Sequence, residues 1–372
     1  MKILFVQTNY DPFLFTFYKN PKNWQKLSYK KLQLKWSEEW FGVSNFYSKY
    51  LRTYGWDGED LIINDWNMQS KWSQEHDLKV SGKEIPFFKF IPPSLRNFLG
   101  LSGWMKKIFF EQLNFYKPDV VYIFDLSIFS AKDIKKIKRV AKLVVGQIAY
   151  PIPINKKPLF EYNLIISSFP HYVKMFKRWG IESKYLKLAV DSEIPKKIRK
   201  KGRIYDVAFV GGLIPYHKKG NLALAKLASE IKVDIWGYGE KTLPLGSPIR
   251  KNFHGQAWGR KMYEIFAQSK IVINRHIDIS KDFANNLRMF EATAMGALLI
   301  TDYKKNMDEF FEVGREVVTY KNPDDLVQKV KYYLVHPKET EKIAEAGQKR
   351  TLKDHTYKVR MKELDEILRG YL

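Results

Sequence analysis

Short apolar runs recur along the chain, each closed by a turn and most followed by a stretch with helical spacing. They are Lys2 to Gln7 (KILFVQ), Asp60 to Asn64 (DLIIN), Lys117 to Phe124 (KPDVVYIF), Lys142 to Gln147 (KLVVGQ) and Asn163 to Ser168 (NLIISS), then Tyr205 to Val210, Val233 to Trp236, Ile271 to Asn274 and Ala297 to Thr301. Runs that are apolar on both faces suit parallel strands covered by helices. Their alternation with helical segments predicts a doubly wound α/β fold, whose ligands bind outside the carboxyl ends of the strands.

The length, 372 residues, exceeds what one growing core accommodates, so two domains are expected. The polar, basic, proline-bearing stretch Asp191 to Arg203 (DSEIPKKIRKKGR) reads as the linker between a first domain, 1–190, and a second, 204–352, with 353–372 as a terminal helix. Helical spacing predicts helices over Glu38 to Tyr54, Trp104 to Tyr116, Pro170 to Gly180, Lys218 to Ser229 and Met262 to Ser269, and Asn252 to Gly255 reads as a short strand and turn. In the N-terminal run, Gln7, Asn9 and Asp11 interrupt the apolar core that a secretory signal needs, so it reads as a first strand. No run of eighteen apolar residues occurs, which argues against a transmembrane helix. The absence of cysteine excludes disulfides and thiolate metal sites and suits a cytoplasmic protein.

Charge is the compositional outlier. With 64 Lys+Arg against 40 Asp+Glu the net charge is +24, which attracts nucleic acid, an anionic membrane surface or acidic and phosphorylated substrates. General solubility charge is the alternative. Between Phe13 and Trp40, aromatics (Phe13, Phe15, Phe17, Tyr18, Trp24, Tyr29, Trp36, Trp40) alternate with Lys19, Lys22, Lys26, Lys30, Lys31 and Lys35. Such a segment fits either a membrane headgroup interface or a helical lid packed on its domain.

Candidate ligand-binding residues gather at strand ends of the second half. Gly211-Gly212 follows one predicted strand, Gly237-Tyr238-Gly239 the next, His254-Gly255-Gln256 closes a third, and Arg275 follows a fourth. Lys219 opens the helix after Gly211-Gly212. Glycine turns and a helix N-terminus expose the backbone N–H groups that phosphate requires. The segment Asn285 to Thr301 (NNLRMFEATAMGALLIT) reads as an asparagine-capped helix, a Gly296 stop and a buried strand, with Arg288 and Glu291 three apart on one helix face. No GxxxxGK[ST], GxGxxG, Asp-x-Asp or HExxH pattern is present, so no metal site or bound cofactor is expected. RNP, zinc-finger and KH patterns are also absent, which disfavours nucleic acid as the partner.

Taken in order, FVGG (209–212), WGYG (236–239), FHG (253–255), NRH (274–276) and FEATAMGALLIT (290–301) resemble the retaining-type GT-B glycosyltransferases, and more closely their CgeB-like group. The resemblance extends through FFEVGREVVTYKNPDDLVQKVKYYL to the terminal helix and covers roughly 160–370. It implies two Rossmann-like domains facing a central cleft, with the C-terminal helix crossing back to the first domain. It assigns Glu291 to the donor ribose, the amides of Asn286, Leu287 and Arg288 to the diphosphate, Arg288 to charge neutralisation, and His254-Gly255-Gln256 to the base. Arg275 and Lys219 become further phosphate partners. Many relatives carry a second glutamate eight residues before the first; here that position is Phe283, which leaves the sugar and the anomeric outcome open. For an inverting reaction the base would come from the first domain, where Asp11 and Asp125 follow predicted strands.

The expected activity is metal-independent transfer of a sugar from a nucleotide-diphosphate donor, such as a UDP-sugar, to an anionic or lipid-linked cell-envelope glycan. The expected location is the cytoplasm, peripheral on the inner face of the membrane. A same-fold epimerase and a non-catalytic glycan- or nucleic-acid-binding protein are the alternatives.

Overall fold

The structure, a computed structural model, describes residues 1–19, 24–80, 103–199 and 202–372. Lys22 of the basic-aromatic segment and Lys200 and Lys201 of the predicted linker lie outside the described residues.

Two parallel sheets form. The first contains β1 (Lys2–Gln7), β2 (Asp57–Ile62), β3 (Val120–Ile123), β4 (Leu143–Ile148), β5 (Leu164–Ser167) and β6 (Ser183–Tyr185), in the order β2-β1-β3-β4-β5-β6. The second contains β7 (Tyr205–Gly212), β8 (Asp234–Tyr238), β9 (Ser269–Ile273), β10 (Leu298–Asp302) and β11 (Val318–Tyr320), in the order β11-β10-β9-β7-β8. Strand order reverses between β1 and β3 in one sheet and between β7 and β9 in the other. A doubly wound sheet opens its ligand crevice at such switch points.

Three elements differ from the sequence reading. β2 begins at Asp57, because it pairs with β1 alone and an edge strand tolerates the polar residues DGED. The helix predicted from Glu38 begins only at Phe46 (Phe46–Leu51), and Trp40, Gly42 and Ser44 before it have positive φ (55°, 61° and 43°). That irregular loop meets the second domain: the Arg260 N–H donates to the Glu39 carbonyl at 2.8 Å. The segment Asn252 to Gly255 forms no strand, only a 3-10 turn (Pro248–Asn252) and one bridge between Ile235 and Phe253.

One apolar core runs through both domains, joining Phe5, Val120 and Tyr122 to Val210, Phe290 and Leu364. The C-terminal helix Tyr357–Arg369 returns to the first domain. There Tyr357 packs on Phe46 at 4.9 Å between ring centroids, and Asp365 accepts the Trp56 indole N–H at 2.6 Å. The basic-aromatic segment contains helices Asp11–Lys19 and Tyr29–Ser37, which pack beside the edge strand β2 on Ile62, Met68, Trp72 and Ile108. Phe13, Phe17, Tyr29, Leu32 and Trp36 are buried, while Phe15, Lys30, Lys31, Leu34 and Lys35 face outward. Among the described residues no helix is long and apolar enough to cross a membrane.

Candidate active site

The second-domain wall of the cleft is built on helix Leu287–Ala294. Its cap is Asn286, whose side-chain oxygen accepts the Arg288 N–H at 2.8 Å and whose amide donates to the Arg275 carbonyl at 2.9 Å. The cap thus ties the helix start to the loop after β9, and the next N–H, of Met289, donates to the Asn286 carbonyl at 3.2 Å. Arg288 and Glu291, one turn apart, form an ion pair. Glu291 is buried, with its side chain 2% exposed, and its second oxygen accepts from the Tyr263 hydroxyl at 3.3 Å. Arg288, 24% exposed, lies over it and donates through Nε to the Val210 carbonyl at 3.2 Å.

The glycine turns hold the strand ends together at close quarters. Gly237 (φ +154°) passes so near β7 that a Cβ there would sit 1.8 Å from the Gly211 carbonyl oxygen. Its N–H donates to the Gly255 carbonyl at 2.9 Å, and a Cβ on Gly212 would meet the Tyr238 ring. Arg275 locks the same region from beneath. It is 4% exposed, donates to the Gly212 carbonyl (2.6 Å), Asn221 Oδ1 (2.7 Å) and the His217 carbonyl (3.4 Å), and lies on the Phe209 ring. Burial pushes its pKa down to about 10. The guanidinium expected on phosphate is therefore engaged with the glycine loop. Gly220 permits this, since a Cβ there would lie 2.3 Å from Arg275 Cδ.

Other expected donor residues fall less centrally. Lys219 is exposed on the first turn of helix Lys218–Glu230. The His254 side chain turns back along β8, where Nε2 lies 2.7 Å from Asp234 Oδ1 and the ring stacks on Trp236 at 4.6 Å. Asp234 begins β8, whereas the cleft lies at its far end. The Gly255 carbonyl meets the Gly237 turn, whereas the Gln256 carbonyl accepts from Lys261 at 3.5 Å and its side chain accepts the Trp258 indole N–H at 2.9 Å. Next to Arg275, His276 is fully buried at 2.6 Å from Asp302 Oδ1. Burial would raise the Asp302 pKa, but His276 and Lys304 hold it well below the usual carboxylate range.

The first-domain wall centres on the β1/β3 switch point. Thr8, after β1, donates to Asp125 Oδ2 at 3.2 Å; Asp125 Oδ1 accepts the Ser127 N–H (3.0 Å) and hydroxyl (2.6 Å), with Tyr150 at 3.4 Å. Asp11 is the first residue of helix Asp11–Lys19. Its neighbour Tyr10, 57% exposed, reaches across the cleft to Tyr238 (5.9 Å between rings) and Trp258 (6.1 Å), where its phenol feels the charges of Arg288 and Asp125. In the sequence Asp11 and Asp125 stand out as carboxylates after strands, whereas Thr8, Tyr10 and Tyr150 carry no comparable mark. The signal for Tyr10 was its place in TNYDPF at a strand's carboxyl end. Phe283 stacks on His171 of the first domain at 5.4 Å, and the neighbouring Ile277 and Ile279 pack on first-domain core residues. Among the described residues no three His, Asp or Glu gather as metal ligands do.

Residues 219–366 match the family described as "Glycosyl transferase-like". No curated protein matches the chain. Among solved structures, a glycosyltransferase from Rickettsia africae is 15% identical, with a TM-score of 0.60 over 100% of this chain and 98% of that one. Anabaena Alr3699/HepE, crystallised with UDP-glucose, is 14% identical, with a TM-score of 0.61 over the whole of both chains. Sucrose-phosphate synthase from Thermosynechococcus elongatus is 10% identical, with a TM-score of 0.62 over 100% of this chain and 98% of that one. The chain has the two-domain GT-B fold of these solved structures, and the match to the glycosyl transferase-like family lies within its second domain and terminal helix.

Proposed function

We propose that this protein transfers a sugar from a nucleotide-diphosphate donor, held by the second domain, to an acceptor hydroxyl held by the first. The observation that carries the reading is the convergence at two facing switch points. The capped helix start with Arg288 and Glu291 stands on one side, and Thr8, Tyr10 and Asp125 stand on the other. Helix amides and arginine neutralise a diphosphate without a carboxylate-held metal, so the proposed reaction is metal-independent. The UDP-glucose bound by the Anabaena neighbour makes UDP-sugars the first donors to try. Asp125 is the proposed base if the reaction inverts, because its Oδ2 lies at the crevice with Thr8 as partner.

For the acceptor we propose a glycan or lipid-linked glycan presented at an anionic membrane surface. The support is the +24 charge and the outward face bearing Phe15, Lys31, Leu34 and Lys35. The CgeB-like group remains our reading of the sequence motifs. The test of the activity is turnover of a sugar-nucleotide panel by wild type and Glu291→Gln. Wild type is expected to release nucleotide diphosphate from one of them and the variant to lose that turnover at a temperature where its circular dichroism still matches that of wild type. Equal turnover by the two proteins removes Glu291 from the site.

A further inference from the structure

The donor reading leaves one observation unexplained: the carboxylate assigned to the ribose is covered. Glu291 is 2% exposed, one oxygen is paired with Arg288, and the other accepts from Tyr263. A ribose diol needs acceptor lone pairs that the Arg288 guanidinium now occupies. Arg288 is the more exposed member of the pair at 24%, its other tie is Nε to the Val210 carbonyl, and it lies next to the helix N-terminus, since its own N–H is the one that Asn286 caps.

We propose that Arg288 is a displaceable cap on Glu291, exchanged for a nucleoside diphosphate, so that phosphate and ribose are recognised jointly and not independently. This rests on the donor reading above. Removing one partner of a buried ion pair is strongly unfavourable unless another charge replaces it. A diphosphate at the helix start supplies that charge, and the planar guanidinium fork suits phosphate oxygens. Glu291, once released, keeps the Tyr263 hydroxyl and gains two ribose hydroxyl donors, so neither ion is left uncompensated. A nucleoside without phosphate offers Arg288 no anion, and the cap stays closed.

Coupling of this kind is reciprocal and measurable as a cycle. The ligands are uridine, 2′,3′-dideoxyuridine, UDP and 2′,3′-dideoxy-UDP, titrated by calorimetry or, for weak binders, by ligand-observed NMR. On wild type, deleting the ribose hydroxyls is expected to weaken UDP by roughly ten-fold or more while changing uridine by less than about two-fold. With Arg288→Met, which leaves Glu291 uncapped, the hydroxyls are expected to matter for uridine as well. An equal hydroxyl effect on uridine and UDP with wild type overturns the cap, and this comparison needs no variant to fold. UDP failing to bind wild type at all overturns the donor reading itself.

Discussion

At the scale of single residues, the sequence could name Arg288 and Glu291 as a pair because their spacing is local, and local spacing survives into any helix. It could not say that the pair closes on itself, since that depends on Val210 and Tyr263, 78 and 28 residues away. Arg275 and His254 show the same limit. The resemblance assigns each to a ligand, and each side chain is directed by a distant partner, Gly212 and Asn221 in one case and Asp234 in the other. Asp60 is a further example, a carboxylate inside predicted strand residues that proves to be buried, bonded to Ser48 and Gln7. Burial pushes its pKa from 3.8 up to about 7. The folded protein therefore holds more protons at this site than the unfolded chain between those values, and the site's contribution to stability falls as pH rises from about 4 to about 7. His217 and His355, pushed down to about 4 by burial, act in the opposite direction. Comparing Asp60→Asn with wild type cancels the histidines. The Tm difference is expected to shift in favour of the variant between pH 5 and pH 8, and a pH-independent difference contradicts the account.

At the scale of elements, strands were the most legible feature, because a buried parallel strand is a continuous apolar run wherever it occurs. Boundaries failed where tertiary contact outweighs local preference: the edge strand β2 extends into polar residues, and the loop before Phe46–Leu51 is irregular because its carbonyls meet Arg260. The basic-aromatic segment packs one face on its domain, as the lid reading expects, and leaves the other outward. Its inner face is the packed layer of Phe13, Phe17, Tyr29 and Trp36, whereas Lys31, Leu34 and Lys35 of Tyr29–Ser37 and Phe15 of Asp11–Lys19 point outward. Lysines near an anionic bilayer contribute about 1 kcal/mol each and are screened by salt. In vesicle flotation the protein is expected to float with anionic but not neutral vesicles, to be released by high salt, and to float less as K31E/K35E. Flotation that ignores lipid charge would exclude this face as an electrostatic anchor.

At the scale of the whole molecule, the two domains meet at several places around the cleft. Tyr10 and Phe41 pack against Tyr238 and Trp258, the loop with Phe283 stacks on His171, and the first turn of helix Gly259–Ala267 sits on the Glu39 carbonyl. Gly259 is decisive in the last contact. With φ +45° a side chain is strained there, and a Cβ would lie 1.9 Å from the Glu39 oxygen. Gly259→Ala is expected to lower stability by about 1–3 kcal/mol and loosen this arrangement. The matching measurements are denaturant unfolding and the radius of gyration by small-angle scattering. An unchanged midpoint with an unchanged radius contradicts the contact. The GT-B layout was legible in advance because the motifs occur in a fixed order, but the cross-domain partners were not, since no sequence spacing relates Tyr10 to Tyr238.

The central claim is that the capped helix with Arg288 and Glu291 forms the donor site. Calorimetric titration of UDP into wild type and Glu291→Gln tests it directly. The prediction is a saturable isotherm with wild type and an affinity lower by roughly ten-fold or more with the variant, both titrated below their unfolding transitions, as expected for the loss of hydrogen bonds to a charged group. Equal affinities for the two proteins would contradict it.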